Sequence, residues 1–367
     1  MGRRLPIPVE PLPDELLSSW LVRMALANGC DPLALGGAIW PKWRPWTIDI
    51  DRGLPENRTE VLSRFAGIPI DKIHELTLRP LAATMQGRDL SSNGTWTWIL
   101  TVGSRNRTRA HGPMFCGECL RIDAVPYFRR SWRLGWHVAC PEHGVWLQDA
   151  CPKCGTPVQY HRLDAEHQVI TRCFGCGESL VSEKLEAASP SMLAFQAQID
   201  GLLNGRALTI NGVPQLGSSA FEVLWHFEAL IHTGLIKPRS SLHDFVQGMG
   251  LKMPQEVIDS IKRVSFERMA LHERREELQG IAKLCEVSSC ELGKQLVRAG
   301  VPQRTFAALR PSVPEGLKSV VAKLRLNPPK VTKNPPRKKR ATTPKFPTVQ
   351  EFAFLLRYLR WKYGVSK

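Results

Sequence analysis

Between Asp14 and Asn28 apolar side chains recur three and four positions apart, placing Leu17, Trp20, Leu21 and Met24 on one face. With Asp14 near its start and Gly29 just past its end, this stretch predicts an amphipathic helix. From Asn57 the pattern shortens: Val61, Leu62 and Phe65 make one apolar face, Gly67 breaks it, and Ile70, Ile73 and Leu76 resume it after Pro69. That is the outline of a helix-turn-helix, and equally of any antiparallel helix pair. Its second helix carries Asp71, Lys72, His74 and Glu75, a mixed face rather than a basic one. Between these elements, AIWPKWRPW alternates Trp40, Trp43 and Trp46 with Lys42 and Arg44, and its prolines bar a regular helix. The indoles read as core packing, against the alternative of an aromatic and basic grip on nucleic acid or protein.

Further on, Phe128, Trp132 and Trp136 recur at helical spacing in RIDAVPYFRRSWRLGWHVA, which predicts a helix with Arg129, Arg130 and Arg133 on its solvated faces. QYHRLDAEHQVITR alternates weakly and reads as a small β-ribbon. After Glu183 the helical period returns, with Phe221, Leu224, Trp225, Leu230 and Ile231 as one buried face and Leu278, Ile281, Ala282 and Cys285 as another. Ser288 and Glu291 then make a capping box, and Leu292, Leu296 and Val297 continue to Gly300. This second helix-turn-helix outline, or plain helical hairpin, sets Lys294, Arg298 and Arg304 on or near its exposed side, within reach of base edges or phosphates. The predicted fold class is mainly α, with helix-turn-helix-containing helical domains flanking a zinc-knuckle or ribbon module.

That module is the strongest chemical signal in the chain. Cys116 with Cys119, Cys140 with His143, Cys151 with Cys154, and Cys173 with Cys176 form four pairs, each enclosing two residues. This gap lets two side chains of one tight turn point at the same tetrahedral ion. Four pairs make two complete sites, joined either as neighbours or interleaved. Gly117, Gly155, Gly175 and Gly177 lie in or just after the turns, where positive φ is often needed. His137, His161 and His167 lack the two-residue spacing and read as ordinary core or surface residues, as Cys30, Cys285 and Cys290 read as packing thiols. Each site is closed by four protein ligands, with no position for an activated water, so the zinc is expected to be structural. There is neither a GxxxxGK[ST] run nor HExxH, and no enzymatic activity is expected.

The 367 residues carry a net charge of +16, which implies a polyanionic partner, nucleic acid first. From Lys330 to Lys367 there are eleven Lys or Arg and one Glu, so 11 − 1 = 10 of those charges fall in the tail. NPPKVTKNPPRKKRATTPKFP reads as an extended linker whose densest cluster, Arg337, Lys338, Lys339 and Arg340, is free to meet phosphates. It is followed by an amphipathic helix bearing Phe352, Leu355, Leu356, Leu359 and Tyr363. No run approaches the roughly 18 apolar residues of a membrane span, and the first residues lack an apolar signal core, so a soluble intracellular protein is expected.

PLPDELLSSWLVRMALANG, FAGIPIDKIHELTL, FCGECLRIDAVPYFRRSWRLGWHVACPEHGVWL, CPKCG and CFGCG together resemble the TniQ family of transposon target-selection proteins, related to TnsD. The resemblance is strong over about the first half of the chain and looser after Glu183. It implies two structural zinc ions on the eight named ligands and a non-enzymatic adaptor in DNA transposition. Its implied partners are DNA, an AAA+ transposition ATPase, a CRISPR effector complex with guide RNA in one branch of the family, and a second copy of the chain. It also implies a bacterial cytoplasmic, nucleoid-associated setting. A free-standing sequence-specific transcription regulator is the other reading of the same parts. The expected organisation is a helical domain at 1–110, the double zinc module at 111–183, a second helical domain at 184–326, and the basic linker and terminal helix at 327–367.

Overall fold

The computed structural model describes residues 5–87, 90, 94–102, 111, 113–182 and 184–326, all within one packing unit, Met1–Leu326. The N-terminal helices are α1 (Leu17–Ala27), α2 (Pro32–Ile39), α3 (Glu56–Ala66), α4 (Ile70–Glu75) and α5 (Arg79–Gln86). A single helix, α6 (Gly117–Ile122), falls in the cysteine-rich middle. Then come α7 (Pro190–Leu203), the antiparallel pair β1 (Leu208–Ile210) and β2 (Val213–Gln215), α8 (Gly217–Ile236), α9 (Ser241–Gly248) and α10 (Gln255–Ile261). The series ends with α11 (Leu271–Glu286), α12 (Ser289–Arg298), α13 (Gln303–Ala307) and α14 (Lys318–Val321). The protein is mainly α, and no helix among the described residues is long and apolar enough to cross a membrane.

The N-terminal helices enclose a core of their own. Leu17, Trp20, Leu21 and Met24 of α1 meet Ile39, Trp40, Leu62 and Ile73 there. Trp40 donates to the Arg58 carbonyl and Trp46 to that of Pro32, so these indoles are packing residues with their one polar atom satisfied. Gly67, at φ 77°, ends α3 in the left-handed turn that frees the chain to enter α4. The second apolar cluster is larger and continuous, taking in Phe115, Phe128 and Trp136 of the middle region, Phe221 and Leu224 of α8, and Leu278 and Ile281 of α11.

Two elements differ from the sequence pattern. The aromatic run 127–139 is not a helix: it holds one 3-10 turn, Ser131–Arg133, and a tight turn at Gly135 and Trp136, with bridges to Glu15 at Arg129 and to Ile99 at Leu134. Large side chains three or four apart also suit an irregular strand crossing a core, and Phe128, Trp132 and Trp136 are buried in that way. The segment after Tyr160 is not a ribbon; it forms 3-10 turns at Tyr160–Arg162 and Ala165–His167, the second capped by Asp164. The sheet lies instead at β1 and β2, where Asn211 and Gly212 both take positive φ in the two-residue turn.

Candidate metal centres

Cys116, the N-cap of α6, accepts a hydrogen bond at Sγ from the Cys119 amide, 3.5 Å away, so the first pair is set by a helix start. The other three pairs are turns of one design. In each, the amide of the glycine after the second ligand donates to the carbonyl of the first: Gly144 to Cys140, Gly155 to Cys151 and Gly177 to Cys173, at 2.8 to 2.9 Å. All three glycines have φ between 62° and 74°, a region costly for residues with a Cβ. Gly144 belongs with them although its sequence context did not single it out. Gly117 and Gly175 do not share this conformation; a Cβ there would press on Gln148 and Thr156 respectively.

The turns bring neighbouring pairs together. Cys116, Cys119, Cys140 and His143 form one quartet, and Cys151, Cys154, Cys173 and Cys176 the other, with the donor atoms of each quartet within 4.8 Å of one another. In the first, Cys119 Sγ is 3.6 Å from Cys140 Sγ, and His143 Nδ1 lies 3.3 Å from Cys140 Sγ and 3.4 Å from Cys119 Sγ. In the second, Cys151 to Cys176 is 3.8 Å and Cys154 to Cys173 is 3.6 Å. Two sulfurs, each about 2.3 Å from one tetrahedral ion, stand about 3.8 Å apart, so these edges fit a metal and not a disulfide. Thr156 Oγ1, 3.2 Å from Cys154 Sγ, brings that thiol down to about 6, toward the thiolate a metal needs.

The quartets differ in their surroundings. The three cysteines of the first are buried and His143 is half-buried, whereas Cys154 and Cys176 of the second are exposed. The chain beside the first quartet is also bonded into both helical regions. Arg133, 0% exposed, pairs with Asp49 at 2.6 Å and Asp51 at 2.9 Å and donates to the Leu100 carbonyl. Asp51 accepts from the amide and hydroxyl of Ser18 in α1, and that hydroxyl lies 2.7 Å from the Tyr160 hydroxyl. Burial raises Asp51 to about 6 even with Arg133 against it. Toward the C-terminal helices, Gln196 of α7 clamps the backbone of Val138 and Ala139, Asp200 takes Trp136 and His137, and Arg274 of α11 donates to the Gly135 carbonyl at 2.8 Å. Arg133 was expected on a solvated face. Its place is the reverse, because two aspartates from a distant turn and a backbone carbonyl supply every partner a buried guanidinium requires.

His137, His161 and His167 have roles outside the quartets: His137 on Asp200, His161 stacked on Trp46, and His167 on Asp164. Cys285 is buried, but Cys290 is exposed on α12 rather than packed. Ser288 caps α12 by accepting from the Glu291 amide, while the Glu291 carboxylate takes Gln295 and does not complete a box. Lys294 and Arg298 lie exposed on α12, with Arg304 exposed on α13 and Val297 beside them 40% exposed instead of continuing the buried face. Arg337, Lys338, Lys339 and Arg340, and the helix expected after them, lie outside the described residues.

A mainly helical chain braced by two four-donor clusters, each able to hold a metal ion, is the class that this geometry defines. Residues 6–147 match the TniQ family model. The match takes in α1 to α6 and the whole first quartet, and it ends before the second. No curated protein matches the chain.

Proposed function

We propose that the protein is a non-enzymatic target-selection adaptor for DNA transposition, joining a target DNA or an RNA-guided effector complex to an AAA+ transposition regulator. The observation that carries this reading is the TniQ match over residues 6–147. Both quartets then hold zinc, chosen because thiolate and imidazole donors at tetrahedral spacing suit that ion. Four protein donors leave no open position on either ion, and the metals act by holding the fold.

In this reading the N-terminal helices and the first quartet form the shared adaptor body. The pair α11 and α12 works as a helix-turn-helix, with Lys294 and Arg298, and Arg304 on α13, on phosphates. Arg337, Lys338, Lys339 and Arg340 add sequence-independent affinity, since each phosphate neutralised steepens the logarithmic salt slope by about 0.9. The regions 1–110, 111–183, 184–326 and 327–367 divide these tasks, and a second copy of the chain is a partner. The exposed basic residues of α12 and α13 equally suit a free-standing transcription regulator.

The test is recruitment. Full-length protein, its transposition ATPase and immobilised target DNA are mixed with and without the RNA-guided complex. The adaptor reading expects the ATPase on DNA only when this protein is present. Sequence-specific DNA binding with no ATPase retained in either arm would replace it with the regulator.

A further inference from the structure

Glu228 and His232 stand four residues apart on α8, hence on one face, and α11 brings Glu277 against them. One donor atom from each lies within 4.8 Å of the other two. Glu277 is 0% and Glu228 4% exposed. His232 Nδ1 lies 2.9 Å from Glu277 Oε1, and Arg310 pairs with Glu228. The second oxygen of Glu277 is buried with no hydrogen-bond partner among the described residues.

The local charge does not balance. Glu267, 7% exposed, acts electrostatically on both Glu228 and Glu277, so three carboxyls face the one guanidinium of Arg310 and 3 − 1 = 2 negative charges are left over. Glu273 adds to the negative potential at Glu277, but its own oxygens are taken by Ser260 and the Ala270 amide. Buried charge in such excess is neutralised by protons or by a cation. Burial does push Glu228 up to about 8 and Glu277 well above the carboxylate range. Yet a proton shared between Glu277 Oε1 and His232 Nδ1 neutralises one charge and still leaves the second Glu277 oxygen buried without a partner among the described residues. A cation needs only the lone pair.

We propose that Glu228, His232 and Glu277 form a third metal site, free of cysteine, which takes a divalent transition-metal cation of the Zn2+ or Mn2+ type and clamps α8 to α11. One imidazole and two carboxylates suit such ions, whereas thiolate quartets discriminate strongly against Mn2+. Arg310, the partner of Glu228, also lines a cleft with Trp98, Phe221, Trp225 and Ser312.

Mn2+ is therefore the probe that separates this site from the quartets. Full-length protein with its zinc left in place is titrated with Mn2+, following loss of the free-ion paramagnetic resonance signal, and total zinc is measured in parallel. The expected result is one Mn2+ bound per chain, or a third zinc already present. Either is lost or weakened at least tenfold in E277Q, with the two quartet zincs retained. H232Q serves as a second variant should E277Q fail to fold. Two zincs per chain with no Mn2+ uptake, or a third ion held equally by wild type and both variants, would overturn the proposal.

Discussion

The two cysteine quartets share a turn design and differ in what surrounds them. The first is buried and sits where α7 and α11 are bonded to one short stretch of chain, from Arg133 to Cys140, and where α1 reaches that stretch through Asp51. The second has two exposed cysteines, and each of its turns closes on itself, Cys151 donating to the Thr156 carbonyl and Cys173 to that of Glu178, with Lys153 paired to Glu178 across them. The same ligand chemistry therefore bears different loads. Loss of the first ion releases contacts that span the unit, whereas loss of the second releases the segment from Cys151 to Gly177, which is joined to the N-terminal helices at Tyr160 and His161.

C119A should have the largest effect. With structural zinc sites contributing on the order of 10 kcal/mol, loss of this ion exceeds the stability of an ordinary domain, and thermal denaturation should show no cooperative transition. R133M comes next. It leaves Asp49 and Asp51 facing each other without their cation, and breaking a buried pair on one side costs about 3–5 kcal/mol, readable by urea denaturation with both metals still bound. An unchanged midpoint would mean that the bonded stretch does not carry the load assigned to it.

An acid-dependent term lies outside both quartets. His226 is buried beneath Phe306 and is 3.2 Å from that residue's carbonyl; burial holds it at about 4, against 6.5 for the free side chain. The depressed base contributes stability above pH 6.5 that is lost as the pH falls toward 4, because only the unfolded chain takes the proton. With excess zinc present, the His226 contribution should fall by about 2 kcal/mol between pH 7 and 5, read as the difference between wild type and H226Q, because the raised carboxyls of Asp51 and Glu228 titrate in the same window with the opposite sign. Arg310 is the charged neighbour that adds to the depression.

C154A, at the exposed quartet, should lower global stability by only about 1 kcal/mol while releasing one zinc, as a change at a locally opening element does. Smallest in stability is the combined K294A, R298A and R304A, within about 0.5 kcal/mol for exposed positions away from the core. In DNA binding the same variant should flatten the salt slope by about 2–3 units, which fluorescence anisotropy across salt would measure.

What the sequence made legible follows from locality. The paired donors of the two clusters, the buried face of α1 and the break at Gly67 are set by residues within one turn of each other, and the structure gathers the pairs into two groups that could each hold a metal ion. Arg133 was misplaced because its partners, Asp49 and Asp51, lie more than 80 residues away and nothing near Arg133 marks them. Glu228 and Glu277 were hidden for the same reason. Inside the apolar pattern of α8, His226 and Glu228 are polar exceptions at buried positions, and such an exception is the signal that could have found the cluster. The aromatic run 127–139 misled because bulk at every fourth position is shared by helices and by chains threading a core.

Stepwise metal removal tests the difference between the quartets most directly. Full-length protein is exposed to increasing chelator, with thiolate-bound zinc counted by native mass spectrometry and amide exchange followed in parallel. The account predicts that the first thiolate-held ion leaves with loss of protection confined to Cys151 through Gly177, while α1 and the stretch from Arg133 to Cys140 stay protected until the second ion goes. Loss of protection in α1 with the first ion, or release of both without global unfolding, would contradict it.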